Sequence, residues 1–232
     1  MKCWEFPKLE KTNLAKLIPK FDHCKTLYTK CDHKLEACVH EQILKLEAEF
    51  KAHNVLVNRE MKLQNKLIDQ LWVLSQRFLL LTNGGVCVKP YPEVISEPTE
   101  QRILCEFNEK LRALNLSNCR ISDSLQNIKD SLIEMNRRCS NLDMTVNSLF
   151  LIGNATYKPL SYTRESVTDL YKYFYGILCK LRCWAQLIDP GDSVAIEDYM
   201  ALTAPSKDFE NYLNIGIPYC RCRRTNNPEC FG

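Results

Sequence analysis

From Leu104 to Leu149 a core position recurs every third or fourth residue without a slip: Leu104, Phe107, Leu111, Leu114, Asn118, Ile121, Leu125, Ile128, Leu132, Met135, Cys139, Leu142, Val146 and Leu149. Asn118 is the only polar member. Such spacing draws one narrow apolar stripe along an α-helix, the seam of a coiled coil. An apolar stripe of that length is unfavourable in water, so it must meet another helix, the chain's own or a partner's.

A second series in the same spacing lies upstream: Ile43, Leu46, Phe50, His53, Val57, Glu60, Gln64, Leu67, Leu71, Leu74, Phe78 and Leu81. It predicts a helix starting between Pro19 and Cys24 and ending near Leu81, before Thr82-Asn83-Gly84-Gly85. At about 1.5 Å per residue, roughly 60 residues span about 90 Å. The connection from Asn83 to Glu97, with Gly84, Gly85, Pro90 and Pro92 and with Pro98 just after it, lets the chain reverse, so the two helices should pack as an antiparallel hairpin. Ser96 or Thr99 is the expected N-cap of the second helix. Further upstream, Cys24, Tyr28, Cys31, Leu35 and Cys38 follow a different phase, which predicts a stutter near residues 38–43.

A third helix is expected after Gly153, capped by Thr163, with Val167, Leu170, Phe174, Ile177, Leu181, Trp184 and Ile188 on its apolar face. Asp189-Pro190-Gly191-Asp192 should stop it, with a short helix following from about Ser193 to Leu202. The expected fold is therefore all-α: an elongated antiparallel coiled-coil hairpin of two long helices, a third amphipathic helix, and a short C-terminal helical and irregular tail. In segments, this is a basic N-terminus over 1–20, the hairpin over 21–150, the C-terminal helical part over 151–204, and a Cys/Arg-containing tail over 205–232.

The polar residues within the seams carry most of the information about partners. With Asn118 at an a position, Leu predominates at a and Ile is frequent at d, a combination that in parallel assemblies favours four strands over two. Asn118 is expected to select register and partner, and a leucine in its place to raise stability. His53, Glu60 and Gln64 would be unfavourable if buried alone, and polar groups on another subunit are one way to satisfy them. Asn115, Ser117, Ser122, Ser124, Lys129 and Ser131 flank the second seam, small and uncharged apart from Lys129, leaving room for further helices. Tyr171, Tyr173, Phe174 and Tyr175 cover more than one face of the third helix and, with Trp184, read as a docking surface. The candidate partner-interface residues are thus Asn118, Leu125, Ile128, Leu132, His53, Glu60, Gln64, Tyr171, Phe174 and Trp184.

No reaction centre emerges. Asn83-Gly84-Gly85-Val86 lacks the lysine and hydroxyl residue of a phosphate-binding loop, and all four histidines (His23, His33, His40, His53) fall in the first helical region. Cys220-x-Cys222 and Cys230 lack a nearby fourth ligand for zinc. No catalytic residue, cofactor, metal or small-molecule substrate is expected. The thirteen cysteines are an odd number scattered along helices, which reads as free thiols in a reducing compartment. The N-terminus has no apolar signal core, and no stretch is long and apolar enough to span a bilayer, so the expectation is a cytoplasmic chain with membrane contact disfavoured. Net charge is +3 with both signs interspersed. Lys8, Lys11, Lys16 and Lys20, with Arg221, Arg223 and Arg224, could still meet an acidic polymer such as a microtubule or nucleic acid.

These features point to a non-catalytic structural subunit of a heteromeric assembly, its partners other coiled-coil subunits. A cytoskeletal setting (spindle, centrosome, kinetochore or axoneme) leads the expectation. A membrane-shaping module of the BAR type and a vesicle-tethering or sorting subunit share the three-helix pattern.

Overall fold

The computed structural model describes residues 30–82, 93–154 and 158–204, and all regular structure among them is helical. Two long helices dominate, α1 (Lys30–Thr82) and α2 (Glu93–Cys139), of 53 and 47 residues. At about 1.5 Å per residue they run roughly 80 and 70 Å. They pack against each other in opposite directions, as three cross-contacts show: Gln42 meets Ser131, His53 meets Ser124, and Gln64 meets Ser117. Three shorter helices follow, α3 (Leu149–Ile152), α4 (Leu160–Ala185) and α5 (Ser193–Thr203).

The α1 series from Ile43 to Leu74 is buried at every position, His53, Glu60 and Gln64 included, while Phe78 and Leu81 are half-buried near the helix end. The expected stutter is absent. Glu36 and Val39 are buried and continue the same 3,4 phase into Ile43, whereas Cys38 is exposed. A glutamate at a seam position concealed the continuity. The beginning of the helix, with Cys24 and Tyr28, lies outside the described residues.

In α2 the seam is buried from Phe107 to Cys139 apart from half-buried Leu111. The helix then stops ten residues short of Leu149. Its C-terminus tightens through Asn141 N–H to the Arg138 carbonyl and Leu142 N–H to the Cys139 carbonyl. Asp143 then draws the Thr145 N–H and hydroxyl to its carboxylate, and Ser148 caps α3 by accepting from the Phe150 N–H. Short polar side chains bonding to local backbone displace helix here. Leu142 and Val146 stay buried without being helical, and Leu149 is exposed. At the other end α2 starts at Glu93 and carries Pro98 inside it, so the expected caps Ser96 and Thr99 lie within the helix.

α4 begins at Leu160 with Pro159 as the preceding cap residue, so Thr163, the expected cap, is a buried residue within the helix. Its buried face runs Leu160, Thr163, Val167, Leu170, Phe174, Leu178, Leu181 and Ala185. One spacing of four replaces the expected three after Phe174. Leu178 and Ala185 therefore take the core positions predicted for Ile177 and Trp184, which are half-buried. α4 packs on α2 and over α1, with Phe174 stacked near Phe50 at 6.2 Å between ring centroids.

α4 ends at Ala185 with Gln186 as its C-cap, short of Ile188 and of the Asp189–Asp192 turn expected to stop it. Gly191 N–H bonds the Asp189 carboxylate, and Asp192 caps α5 by accepting from the N–H groups of Val194 and Ala195. Ser75 of α1 donates to the Pro190 carbonyl at 2.8 Å, pinning the turn so that α5 folds back along α1. α4 and α5 thus join the two long helices in one continuous hydrophobic core. The basic N-terminal segment and the Cys/Arg tail lie outside the described residues.

Candidate functional site

The polar residues inside the seams converge on one another. Gln64 of α1 donates from Nε2 to Asn118 Oδ1 at 2.8 Å and to Ser117 Oγ at 2.9 Å. Tyr199 of α5 donates its hydroxyl to Gln64 Oε1 at 3.0 Å, and Asn118 Nδ2 donates back to that hydroxyl at 3.4 Å. Gln64, Asn118 and Tyr199 close a ring in which each side chain both donates and accepts. All three are buried. Burial pushes the Tyr199 phenol up to about 12, against a partly opposing hydrogen bond from Asn118, so the phenol keeps its proton.

One helical turn away, Glu60 extends this cluster toward the surface. Burial raises its carboxyl, but hydrogen bonds from Ser117, Arg59 and Arg120 together outweigh that and lower it below the ordinary value. The Arg59 and Arg120 contacts measure 3.1 and 3.2 Å, and both guanidinium groups remain largely exposed. Glu60 is therefore a charged residue whose countercharges reach in from water.

His53 sits two turns from Glu60 in a drier setting. Its Nδ1 lies 2.9 Å from Ser124 Oγ, and its ring meets Phe174 edge to face at 4.7 Å between centroids. Nε2 has no hydrogen-bond partner among the described residues. Burial lowers this imidazole from 6.5 to about 4, so it is neutral at physiological pH. A protonated ring would carry an N–H on both nitrogens, one of them without an acceptor.

Leu125, Ile128 and Leu132 are buried in the chain's own core, Phe174 is sealed between His53 and Phe50, and Tyr171 and Trp184 are half-buried. Tyr171 stacks on Tyr175 at 6.0 Å. The groups expected to await another subunit are largely covered within the chain itself. The small flanks of α2 likewise receive α1: Ser117 and Ser124 bond Gln64 and His53, while Ser131 donates to Glu49 and its carbonyl accepts from Gln42.

This reverses the expected effect of changing Asn118. Leucine there would leave one Gln64 amide hydrogen unpaired and remove a donor from the Tyr199 hydroxyl, at about 1 kcal/mol or more for each buried group. Asn118→Leu should therefore lower stability by about 2 kcal/mol in urea unfolding. A midpoint equal to or above wild type would mean that the ring does not exist.

Tyr199 was not identified from the sequence. Its signal is chemical rather than periodic: once Gln64 Nε2 is given to Asn118 Oδ1, the Gln64 oxygen still needs a donor and the Asn118 amide nitrogen an acceptor, and one hydroxyl can serve both. Among the described residues no three His, Cys, Asp or Glu side chains are grouped to hold a metal, Cys38, Cys105, Cys119, Cys139, Cys179 and Cys183 are free thiols, and no helix is long and apolar enough to cross a membrane. The ring itself offers little to chemistry, since its phenol is un-ionised and its two amides are not nucleophiles. No protein-family model, no curated protein and no solved structure matches the chain.

Proposed function

We propose that the chain is a non-catalytic coiled-coil structural subunit of a multiprotein assembly, of the cytoskeletal kind and cytoplasmic. The pair of long antiparallel helices is the observation that carries the reading. A scaffold with a reach of about 80 Å and a core that closes on itself is suited to holding partners apart at a fixed distance rather than to enclosing a substrate. Internal pairing of the polar seam residues modifies the reading in one respect. Partners would dock on outer faces, where Val55, Leu80, Leu116 and Ile133 are exposed, and not by completing the seams. The cytoskeletal setting rests on analogy between architectures, not on a site.

Affinity purification from native cells, followed by mass spectrometry and sedimentation of the eluate, tests this. Recovery in stoichiometric amounts with other helical subunits is the expected result. A chain that elutes alone and sediments as a compact monomer would refute the proposal. A membrane-shaping role predicts co-sedimentation with anionic liposomes that salt abolishes. The exposed charges of α2 mix both signs, Arg102, Arg112, Arg120 and Lys129 with Glu106, Glu109, Asp123 and Asp130, which argues against that role.

A further inference from the structure

We propose that Ser140 is a phosphoacceptor for an ATP-dependent serine kinase that recognises arginines just upstream of its target, and that the phosphate loosens the C-terminal end of α2. Ser140 is exposed and is the first residue beyond the helix. Arg137 and Arg138 precede it by three and two positions, and no other serine or threonine among the described residues has arginine at both places.

Three features make the site reachable. The Arg137 side chain is 68% exposed and that of Arg138 34%, so a carboxylate-lined substrate groove can approach both. Among the described residues both guanidinium groups meet Glu134, at 2.7 and 2.8 Å, and one carbonyl, so a kinase has surface ion pairs to exchange rather than core to open. The segment after Ser140 runs to Ser148 without regular structure, and the last turn of a helix is where local opening requires least. Reading of the serine in an extended groove requires release of the Ser140 hydroxyl from the Arg137 carbonyl, now at 2.7 Å, and of Ser140 N–H from the Asn136 carbonyl at 3.0 Å.

In the transfer, Ser140 Oγ attacks the γ-phosphorus of ATP and a new P–O bond forms as the bond to the β-phosphate oxygen breaks. ADP leaves, and the hydroxyl proton passes to the kinase's base. The product carries nearly two negative charges at the negative end of the α2 dipole, which disfavours the final turn. It also competes with Glu134 for Arg137 and Arg138. Arg138 matters most, because its Nη1 donates to the Cys38 carbonyl of α1 at 3.2 Å and ties the two long helices together at this end.

The test uses the full chain, ATP labelled in the γ-phosphate, and the catalytic subunit of cyclic-AMP-dependent protein kinase. Label is expected at Ser140 by fragment mass spectrometry, distinguished from Thr225, which follows Arg223 and Arg224 in the tail. Arg137→Gln and Arg138→Gln should each lower kcat/KM at Ser140 by about tenfold to a hundredfold, the effect of losing one charge-assisted hydrogen bond. Ser140→Ala should remove the label from that peptide alone. In the phosphorylated chain, the amides of 139–142 should exchange hydrogen about tenfold faster. Absence of label at Ser140, label there only in urea, or label indifferent to both arginines overturns the site; unchanged amide exchange overturns the loosening.

Discussion

Phe174→Ala should lower the unfolding free energy by about 4 kcal/mol, a large fraction of what a domain of this size has. The phenylalanine is 1% exposed, and its ring lies against His53 of α1, Phe50 of α1 and Tyr173 of its own helix, at 4.7, 6.2 and 5.8 Å. Truncation removes the transfer free energy of the ring and leaves a void where α4 presses on the hairpin. Collapse around the void is limited, because both neighbours on α1 are held by the antiparallel pairing with α2. Phe174→Leu, which keeps most of the volume, should cost no more than about 1.5 kcal/mol. Tyr175→Ala on the exposed face should stay within about 0.5 kcal/mol. Urea titrations followed by circular dichroism separate the three, and an alanine variant within about 1 kcal/mol of wild type would mean that α4 does not sit on this core.

The second large effect is the loss of stability on acidification. An unfolded chain binds a proton at His53 near the ordinary value of 6.5, whereas the folded chain does so only near 4. As pH falls through that interval the unfolded state gains protons that the folded state refuses, so stability drops as pH is lowered. Above 6.5 the contribution is fully present; by pH 4 it has gone. The difference amounts to about 3 kcal/mol. His53→Leu should flatten the dependence across this window, leaving the slope below it to carboxylates such as Glu60, whose folded value is also lowered. The two large effects are coupled, since water admitted by Phe174→Ala would rehydrate the imidazole, and that variant should lose less on acidification than wild type does. Equal slopes in wild type and His53→Leu between pH 6.5 and 4 would contradict the assignment.

Sequence alone carried the two long seams, because a 3,4 spacing has one geometric solution on a helix and both seams repeat it many times. It also located the odd residues correctly: His53, Glu60, Gln64 and Asn118 are all in the core. What spacing cannot convey is which surface each polar group faces. Pairing of Gln64 with Asn118 depends on the helices running antiparallel in one alignment, and Tyr199 arrives from a helix 135 residues beyond Gln64. Errors in extent arose where local chemistry overrode apolar spacing. Glu36 occupied a seam position under a polar name, and Asp143 and Ser148 ended a helix whose apolar series ran on through Leu142 and Val146. In α4, Leu178 and Ile177 are equally apolar, and only the packing against α2 decides between them.

The Gln64–Asn118–Tyr199 ring has a consequence for how the molecule comes apart. A short C-terminal helix would ordinarily fray on its own, opening and closing while the rest stands. α5 lacks that independence. When it lifts away, Gln64 Oε1 loses its donor and Asn118 Nδ2 its acceptor, and both groups remain facing each other between two helices still packed together. The penalty falls on α1 and α2 as much as on the departing segment. A three-body bond of this kind joins the least secure element to the most secure one, so that local opening at residues 193–203 draws on the stability of the whole bundle.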